Sequence, residues 1–281
     1  MSEVVPSPSL DELASLTPFE RRAFLFAHRM NYGRWKRVWT WVQRTVGARW
    51  IEVAGLRLLR VHGLEHVERT PSERPLLLVG NHRSFFDMYA VSSVIYRRAP
   101  RRRVGALYFP VRGRFFYQSP LGMLVNFLAG WWAMYPPFFR RGGTRDFDAY
   151  ALRLLTALCR GAAGPGTIVG FHPEGTRNKG PDPYSFLPAQ PGVGKLIKDA
   201  GPGLEVVPVF VAGLTNDLGG MVARNWRPDA ERVRIRFGPS IDCSAFYEMP
   251  DRGSTYRALA ELVMEKVKEL GERDREEYGK S

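Results

Sequence analysis

Residues 76–87 of the chain are Leu-Leu-Leu-Val-Gly-Asn-His-Arg-Ser-Phe-Phe-Asp, an apolar run followed directly by a polar loop. The run Leu76 to Val79 has the length and apolar character of a buried β-strand. A second apolar run, Thr167 to Phe171, is likewise followed by His-Pro-Glu-Gly-Thr-Arg-Asn at 172–178. Ligand sites in open α/β sheets gather at the carboxyl ends of strands. The two stretches therefore predict an α/β fold and the place of its site.

Strands and helices alternate along the rest of the chain. Further short apolar runs predict strands at Leu56 to Val61, Val104 to Leu107, Val206 to Val211 and Val233 to Phe237. Helical spacing marks Asp146 to Cys159 and a tail from Ser254 to about Leu270. This alternation predicts a mainly parallel central sheet flanked by helices, within one domain over residues 53–281.

Residues 1–52 are expected to form a leader and a pair of amphipathic helices. Residues 1–16 predict a loose leader, and Thr17 to Glu20 has the capping pattern of a helix that continues to about Met30. A second helix is predicted over roughly Arg34 to Val46. Its apolar stripe is Trp35, Val38, Trp39, Val42 and Val46. Tryptophans among basic residues are typical of a helix lying in a membrane interface, although the same stripe could pack on the core.

The composition is that of a globular protein with a strongly basic region. The 281 residues are 44% hydrophobic and carry a net charge of +13, with only two cysteines, which favours a reducing compartment. No acidic residue occurs between Met88 and Arg145. That range holds Arg97, Arg98, Arg101, Arg102, Arg103, Arg112, Arg114, Arg140, Arg141 and Arg145. A face of this kind attracts anionic lipid, a polyanionic ligand or nucleic acid.

The two polar loops contain residue types suited to acid–base and anion chemistry. His82 precedes Asp87 by five residues, and Ser84 and Asp87 have capping-box spacing, which predicts a helix from Ser84. A histidine paired with a carboxylate is a general-base arrangement, although Asp87 could equally be only a helix cap. In the second loop, Gly175 permits close approach to a ligand and Arg177 offers a planar fork for phosphate. The same residues are also typical of an ordinary turn.

Taken together, the loops resemble two motifs of the glycerolipid acyltransferase family, whose members include the lysophosphatidic acid acyltransferases. The motifs are His-x-x-x-x-Asp at 82–87 and Pro-Glu-Gly-Thr-Arg at 173–177. The resemblance covers about residues 75 to 215. The family's two-helix membrane anchor resembles residues 17–50 of this chain.

Two further blocks fit the same family, and two positions depart from it. Residues 139–143 resemble its arginine block, with Arg141 at the arginine position, and residues 207–209 resemble its Val-Pro strand. Arg140 stands where many members have an acidic residue. His172 stands where an aromatic residue usually precedes Pro-Glu-Gly. Both departures bear on the identity of the acceptor more than on the chemistry.

The resemblance implies transfer of a fatty acyl group from acyl-CoA or acyl carrier protein to a lysophospholipid-type acceptor, foremost 1-acylglycerol-3-phosphate. His82 would be the general base and Asp87 would orient it. The expected substrate-binding residues are Arg141, Glu174, Gly175, Thr176 and Arg177. Within that site, Arg141 and Arg177 would hold the acceptor phosphate, and Glu174 would position these arginines or the glycerol portion.

No cofactor beyond the acyl donor is implied. The five histidines lack metal-ligand spacing, so no metal site is expected. The expected location is the cytoplasmic face of a membrane, as a peripheral protein on anionic lipid. The uncharged stretch Phe115 to Tyr135 is expected either to line an acyl-chain site or to pack in the core. Two other classes stay open, a non-catalytic lipid-binding protein and a basic nucleic-acid-binding protein, although no nucleic-acid partner is expected.

Overall fold

A six-stranded, mainly parallel sheet organises the chain in the computed structural model, which describes residues 4–128, 130–227 and 230–279. The strands are β1 (Leu59–His62), β2 (Leu76–Gly80), β3 (Ala106–Tyr108), β4 (Val111–Arg112), β5 (Pro137–Phe138), β6 (Thr167–Phe171), β7 (Glu205–Ala212) and β8 (Val233–Phe237). The main sheet has the order β1-β8-β7-β2-β6-β3, and β4 and β5 pair separately. Only β7 and β8 are antiparallel within it. The predicted fold class is therefore confirmed.

Helices flank this sheet and fill the connections between its strands. They are α1 (Leu10–Ala14), α2 (Pro18–Met30), α3 (Gly33–Val42), α4 (Ala48–Gly55), α5 (Glu65–Glu68), α6 (Asp87–Arg98), α7 (Gly113–Phe116), α8 (Pro120–Leu128), α9 (Arg145–Cys159), α10 (Pro191–Ala200), α11 (Leu218–Asn225), α12 (Ser244–Tyr247) and α13 (Gly253–Tyr278). Helix α10 packs against α9 and α13, and α13 lies across β7. The central strand β2 is completely apolar because it is covered on both faces.

The N-terminal segment is not the loose leader that its composition predicted. Ser9 caps α1 in a capping box with Glu12, and Glu12 is paired with Arg153 of α9. Tyr150 of α9 donates its hydroxyl to the carbonyl of Pro6 at 3.1 Å. Leu13 is buried in the main hydrophobic core. Residues 1–3 of the predicted leader lie outside the described residues, and the remainder of it packs on the same core as the sheet.

The second N-terminal helix is longer than predicted. It runs through α3, a π-helical turn at Gln43–Gly47, and α4, so that it covers residues 33–55. Its buried residues are polar or small: Lys36, Thr40, Gln43, Gly47, Ala48 and Gly55. A Cβ at Gly47 would lie 2.2 Å from Nε1 of Trp131, so this crossing requires glycine.

The apolar side of this helix faces outward. Trp41 and Trp50 are each 64% exposed, and Val38, Val46 and Val53 are exposed with them. The predicted stripe is therefore wrong in part, because Trp39 packs edge-on against Phe127 at a centroid distance of 5.6 Å. Trp35 is likewise partly buried against the core. In the described ranges, no helix combines the length and the apolar character needed to cross a membrane.

Exposed apolar residues also occur on α2 and α8, two helices that are linked to α3 by ring contacts. Phe26 of α2 contacts Trp132, and Trp132 contacts both Trp39 of α3 and Phe127 of α8. We call the exposed part of these helices the apolar face; it comprises Phe26, Val38, Trp41, Val46, Trp50, Val53, Leu121, Leu124 and Leu128. Basic residues border it, since Arg97 pairs with Glu52 of α4 at 3.1 Å. Arg103, which was expected to lie on the same basic face as Arg97, is instead buried.

Candidate active site

The strand β2 delivers the first polar loop to the carboxyl edge of the sheet. Asn81 is buried there and exchanges two hydrogen bonds of 2.8 Å with the backbone of Val211 on β7. This side chain continues the pairing of the two strands by one step and fixes the position at which the loop leaves the sheet. His82 follows directly and is partly exposed.

His82 and Asp87 form the pair that the sequence predicted. Nδ1 of His82 donates to Oδ2 of Asp87 at 3.1 Å. Because Nδ1 carries the proton, Nε2 keeps its lone pair and can accept a proton from a substrate. The side chain of Asp87 is 1% exposed, whereas that of His82 is 22% exposed. The pair is thus anchored inside the protein and opens outward through the imidazole.

The helix behind this pair begins at Asp87 and not at the predicted Ser84. Oδ2 of Asp87 accepts the backbone amides of Arg83 at 2.8 Å and Ser84 at 2.9 Å. These bonds hold the loop in a non-helical path, while the Ser84 hydroxyl donates to the carbonyl of Thr215. Asp87 therefore both shapes the loop and orients the imidazole.

Glu174 braces the two loops against each other. It is 2% exposed, and its carboxylate accepts the amide of His82 at 2.6 Å and the amide of Leu187 at 2.8 Å. The amide of Asn178 in turn donates to the carbonyl of His82 at 2.7 Å. Both oxygens of Glu174 accept backbone amides, so its carboxylate holds the loops in this structure, and its role towards the arginines or the glycerol stays a prediction.

Burial and nearby cations keep the imidazole of His82 neutral. Burial, and after it the charges of Arg177 and Arg112, lower the pKa of His82 to about 4. Burial raises the pKa of Asp87 to about 6, opposed by His172 and by the amides of the loop. At neutral pH the pair therefore consists of an uncharged imidazole and a carboxylate, which is the state a general base requires.

A second imidazole lies on the face of the first. The rings of His82 and His172 are stacked with centroids 3.9 Å apart and planes 10° from parallel. Nδ1 of His172 donates to the carbonyl of Gly80 at 3.0 Å. The fold therefore brings together two histidines that lie ninety positions apart in sequence.

This stack bears on the prediction that there is no metal site. Ligand-type atoms of His82, Asp87 and His172 lie within 4.8 Å of one another, which residue spacing could not reveal. The lone pairs of stacked rings lie in two separate, nearly parallel planes, so one ion cannot meet both along their lone pairs. In addition, Nδ1 of each ring already donates a hydrogen bond. The residues in this arrangement do not fit a metal ion.

Three arginines border the mouth of the site. Nη1 of Arg177 donates to Asn216 at 3.0 Å, and Nη2 of Arg112 donates to the carbonyl of Gly175 at 3.3 Å. Arg112 is close enough to Arg140 to lower its pKa, after the larger effect of burial. With Arg112 and Arg177 both acting on His82, the imidazole opens onto a positively charged rim. Such a rim is suited to a phosphate-bearing ligand.

The sequence model of the family described as Acyltransferase matches residues 58–212, more than half of the chain. The chain belongs to the acyltransferase family. The resemblance inferred from the motifs at 82–87 and 173–177 is thereby confirmed. No curated protein matches the chain significantly.

Among solved structures, this acyltransferase is similar to the crystal structure of the 1-acyl-sn-glycerophosphate (LPA) acyltransferase PlsC from Thermotoga maritima. The two share 18% sequence identity over 89% of this chain and 94% of that chain, with a TM-score of 0.45.

The remaining predicted residues of the acyltransferase lie in different places. Gly175 adopts a positive φ of 67°, as a tight turn next to the site requires, and Thr176 is exposed beside it. Arg141 instead pairs with the buried Glu20 of α2 at 2.7 Å. In the described part of the chain, no hydrogen bond or ion pair joins Arg141 to the His82 loop. The sequence did not identify Arg112 as a site residue, because it lies outside both motifs and only the fold brings it to them.

Proposed function

We propose that this acyltransferase moves a fatty acyl group from a thioester donor, acyl-CoA or acyl carrier protein, to the hydroxyl of 1-acylglycerol-3-phosphate. The observation that carries the proposal is the neutral imidazole of His82, bonded to the buried Asp87 and opening between Arg112 and Arg177. A base and a cationic rim at one opening match an acceptor with both a hydroxyl and a phosphate.

The reaction proceeds in one exchange without a covalent enzyme intermediate. Nε2 of His82 removes the proton from the acceptor hydroxyl as its oxygen attacks the thioester carbonyl carbon. The imidazolium that forms is stabilised by the carboxylate of Asp87. The carbon–sulfur bond then breaks, and the leaving thiolate takes the proton back from His82. The products are the ester and the free thiol, and the enzyme regains its starting protonation state.

The phosphate of the acceptor binds to the cationic rim. Arg177 is steadied by Asn216, whose side-chain oxygen also accepts the amide of Phe85 at 2.9 Å. The guanidinium of Arg177 is thus tied to the loop that carries His82. A phosphate bound there places the neighbouring glycerol hydroxyl within reach of the imidazole. Arg141 is paired with Glu20 of α2 and is not assigned to this rim.

The apolar face docks the enzyme on a bilayer without crossing it. Helices α3 and α4 turn polar residues inward and Trp41 and Trp50 outward, and indole rings favour the headgroup boundary. The adjoining exposed arginines Arg97, Arg98, Arg101 and Arg102 would meet anionic headgroups. Docking in this way would deliver a lipid acceptor to a soluble domain from the surface in which the lipid resides.

The decisive experiment incubates the purified protein with a panel of lysolipids, headed by lysophosphatidic acid, and with both donor types. Product is detected by mass spectrometry. Esterified product with wild type, and its absence with His82→Ala, is expected. The matched control is His66→Ala, which removes a histidine from the opposite edge of the sheet. Liposome binding without any product from the panel would instead favour the non-catalytic lipid-binding class.

A further inference from the structure

The ring of His172 occupies a place that the reaction described above does not use. It covers one face of His82 at a centroid distance of 3.9 Å, close enough to exclude water from that face. We propose that His172 is a positioning residue: it fixes the plane in which the imidazole of His82 meets Asp87 and the acceptor hydroxyl. This inference rests on the proposed role of His82 as the base and assigns a second residue to that same site.

The covering ring is itself firmly held. His172 follows the last residue of β6, and its Nδ1 donates to the carbonyl of Gly80, the last residue of β2. His82 lies two residues after Gly80, so the end of β2 fixes the positions of both rings. Rotation about χ1 and χ2 could otherwise turn the imidazole of His82 away from the acceptor. Stacking and the bond to Asp87 together restrict His82 in two perpendicular directions.

The charges that face His82 come from every element packed around it. Asp87 lies on α6, Arg112 on β4 and Arg177 on the second loop, while Glu174 holds the backbone amide. His172 supplies the remaining face as an uncharged ring, since burial and then His82 lower its pKa to about 3. It also withholds water from the resting base, which favours its neutral form.

Two substitutions of His172 test whether an aromatic ring over His82 is what positions and shields the base. His172→Phe keeps an aromatic ring over His82 but removes the hydrogen bond to Gly80. His172→Ala removes the ring and admits water to the exposed face. If the stack positions and shields the base, phenylalanine should substitute for histidine in this respect, whereas alanine should not.

The primary measurement is the titration of the His82 imidazole by nitrogen-15 NMR, assigned by its loss in His82→Ala. In wild type the midpoint should lie well below 6.5, and in His172→Phe it should stay there. In His172→Ala it should rise by about 1 pH unit or more, since hydration favours the charged ring. The acid limb of kcat/KM for acyl transfer should move upward with it, while His172→Phe should retain activity within a few-fold.

The inference is overturned by a wild-type midpoint at or above 6.5, which needs no variant and stands even if His172→Ala does not fold. It is also overturned if alanine and phenylalanine move the midpoint equally. The NMR titration does not depend on acyl transfer. A protein that shows the expected midpoints without forming any ester would therefore contradict the proposed function and leave the positioning role intact.

Discussion

The edge of the sheet that carries the candidate site and the helix over residues 33–55 both bury polar side chains, but with opposite results. At the edge, Asp87 and Glu174 turn inward and accept backbone amides, so that one imidazole is presented to the outside. In the helix, Lys36 turns inward to the carbonyl of Leu107 at 2.7 Å and the side chain of Asn31 at 2.9 Å. Because this polar stripe is buried, two of the four tryptophans on the helix are exposed.

The two regions differ in what the buried polar groups leave exposed: an imidazole at the edge of the sheet and indole rings on the helix. The burial of Lys36 without a carboxylate is costly, and it lowers the pKa of this lysine to about 7. A helix that only needed to pack on the core would bury its apolar side instead. The two regions are therefore expected to fail independently, one in chemistry and the other in attachment to lipid.

The largest effect on acyl transfer is expected at the candidate site. His82→Ala should reduce acyl transfer by about 100- to 10,000-fold, because it removes the general base. Sedimentation with liposomes and the melting temperature should match wild type and the His66→Ala control. Activity within a few-fold of wild type, in a folded variant, would remove His82 from the mechanism.

A smaller loss is expected for Asp87→Asn, roughly 10- to 1,000-fold in kcat, because an amide cannot stabilise the imidazolium. The amide oxygen can still accept the amides of Arg83 and Ser84, so the loop should persist with a lowered melting temperature. Turnover and thermal unfolding should be measured on the same preparation. A drop in stability with turnover preserved would mean that Asp87 serves only the loop.

The cationic rim is expected to contribute less. Arg177→Ala and Arg112→Ala should each raise the KM for 1-acylglycerol-3-phosphate by about 10-fold, the loss of one charge-assisted contact. Acceptors without phosphate should be unaffected. Arg69→Ala, which changes an exposed arginine directly after α5, is the matched control. If Arg177→Ala and Arg112→Ala leave the KM for 1-acylglycerol-3-phosphate at the value of the control, the phosphate binds elsewhere.

The smallest effect on turnover is expected at the apolar face. Replacing Trp41 and Trp50 with alanine should weaken sedimentation with anionic liposomes while leaving turnover on a detergent-dispersed acceptor within a few-fold. Replacing Trp35 and Trp39 should instead lower the melting temperature, because those rings pack inward. Salt should weaken wild-type binding by screening the neighbouring arginines. If the two double variants behave alike, the apolar face is not the docking surface.

Much of the fold could be predicted from the sequence because buried strands give a local signal. All six strands of the main sheet overlap the apolar runs that predicted them, although β1 begins three residues and β3 two residues later than predicted. The helix over residues 33–55 was harder, because it has apolar residues on more than one side and only tertiary contacts decide which side is buried. The N-terminal error had a visible signal: Ser9 and Glu12 have the spacing of the capping box that forms there.

The candidate site could be predicted in its chemistry but not in its supports. The spacing of His82 and Asp87 indicated a bond that the structure contains. The roles of Glu174 and His172 depend on contacts across about ninety residues, which no local pattern encodes. Arg112 reaches the site only because the fold brings its side chain to Gly175. Sequence spacing therefore located the reacting groups, and the fold alone showed what holds them.

The place of β2 in the sheet has a consequence for synthesis of the protein. Its two neighbours, β6 and β7, both come later in the chain. As the chain leaves the ribosome, His82 emerges before every other group of the pocket, yet its strand has no partner until residues 167–171 and 205–212 have followed. The brace on its amide comes from a residue 92 positions downstream. In a nascent chain His82 is therefore present long before the residues that fix its position. Translation products that end before residue 212 should be inactive.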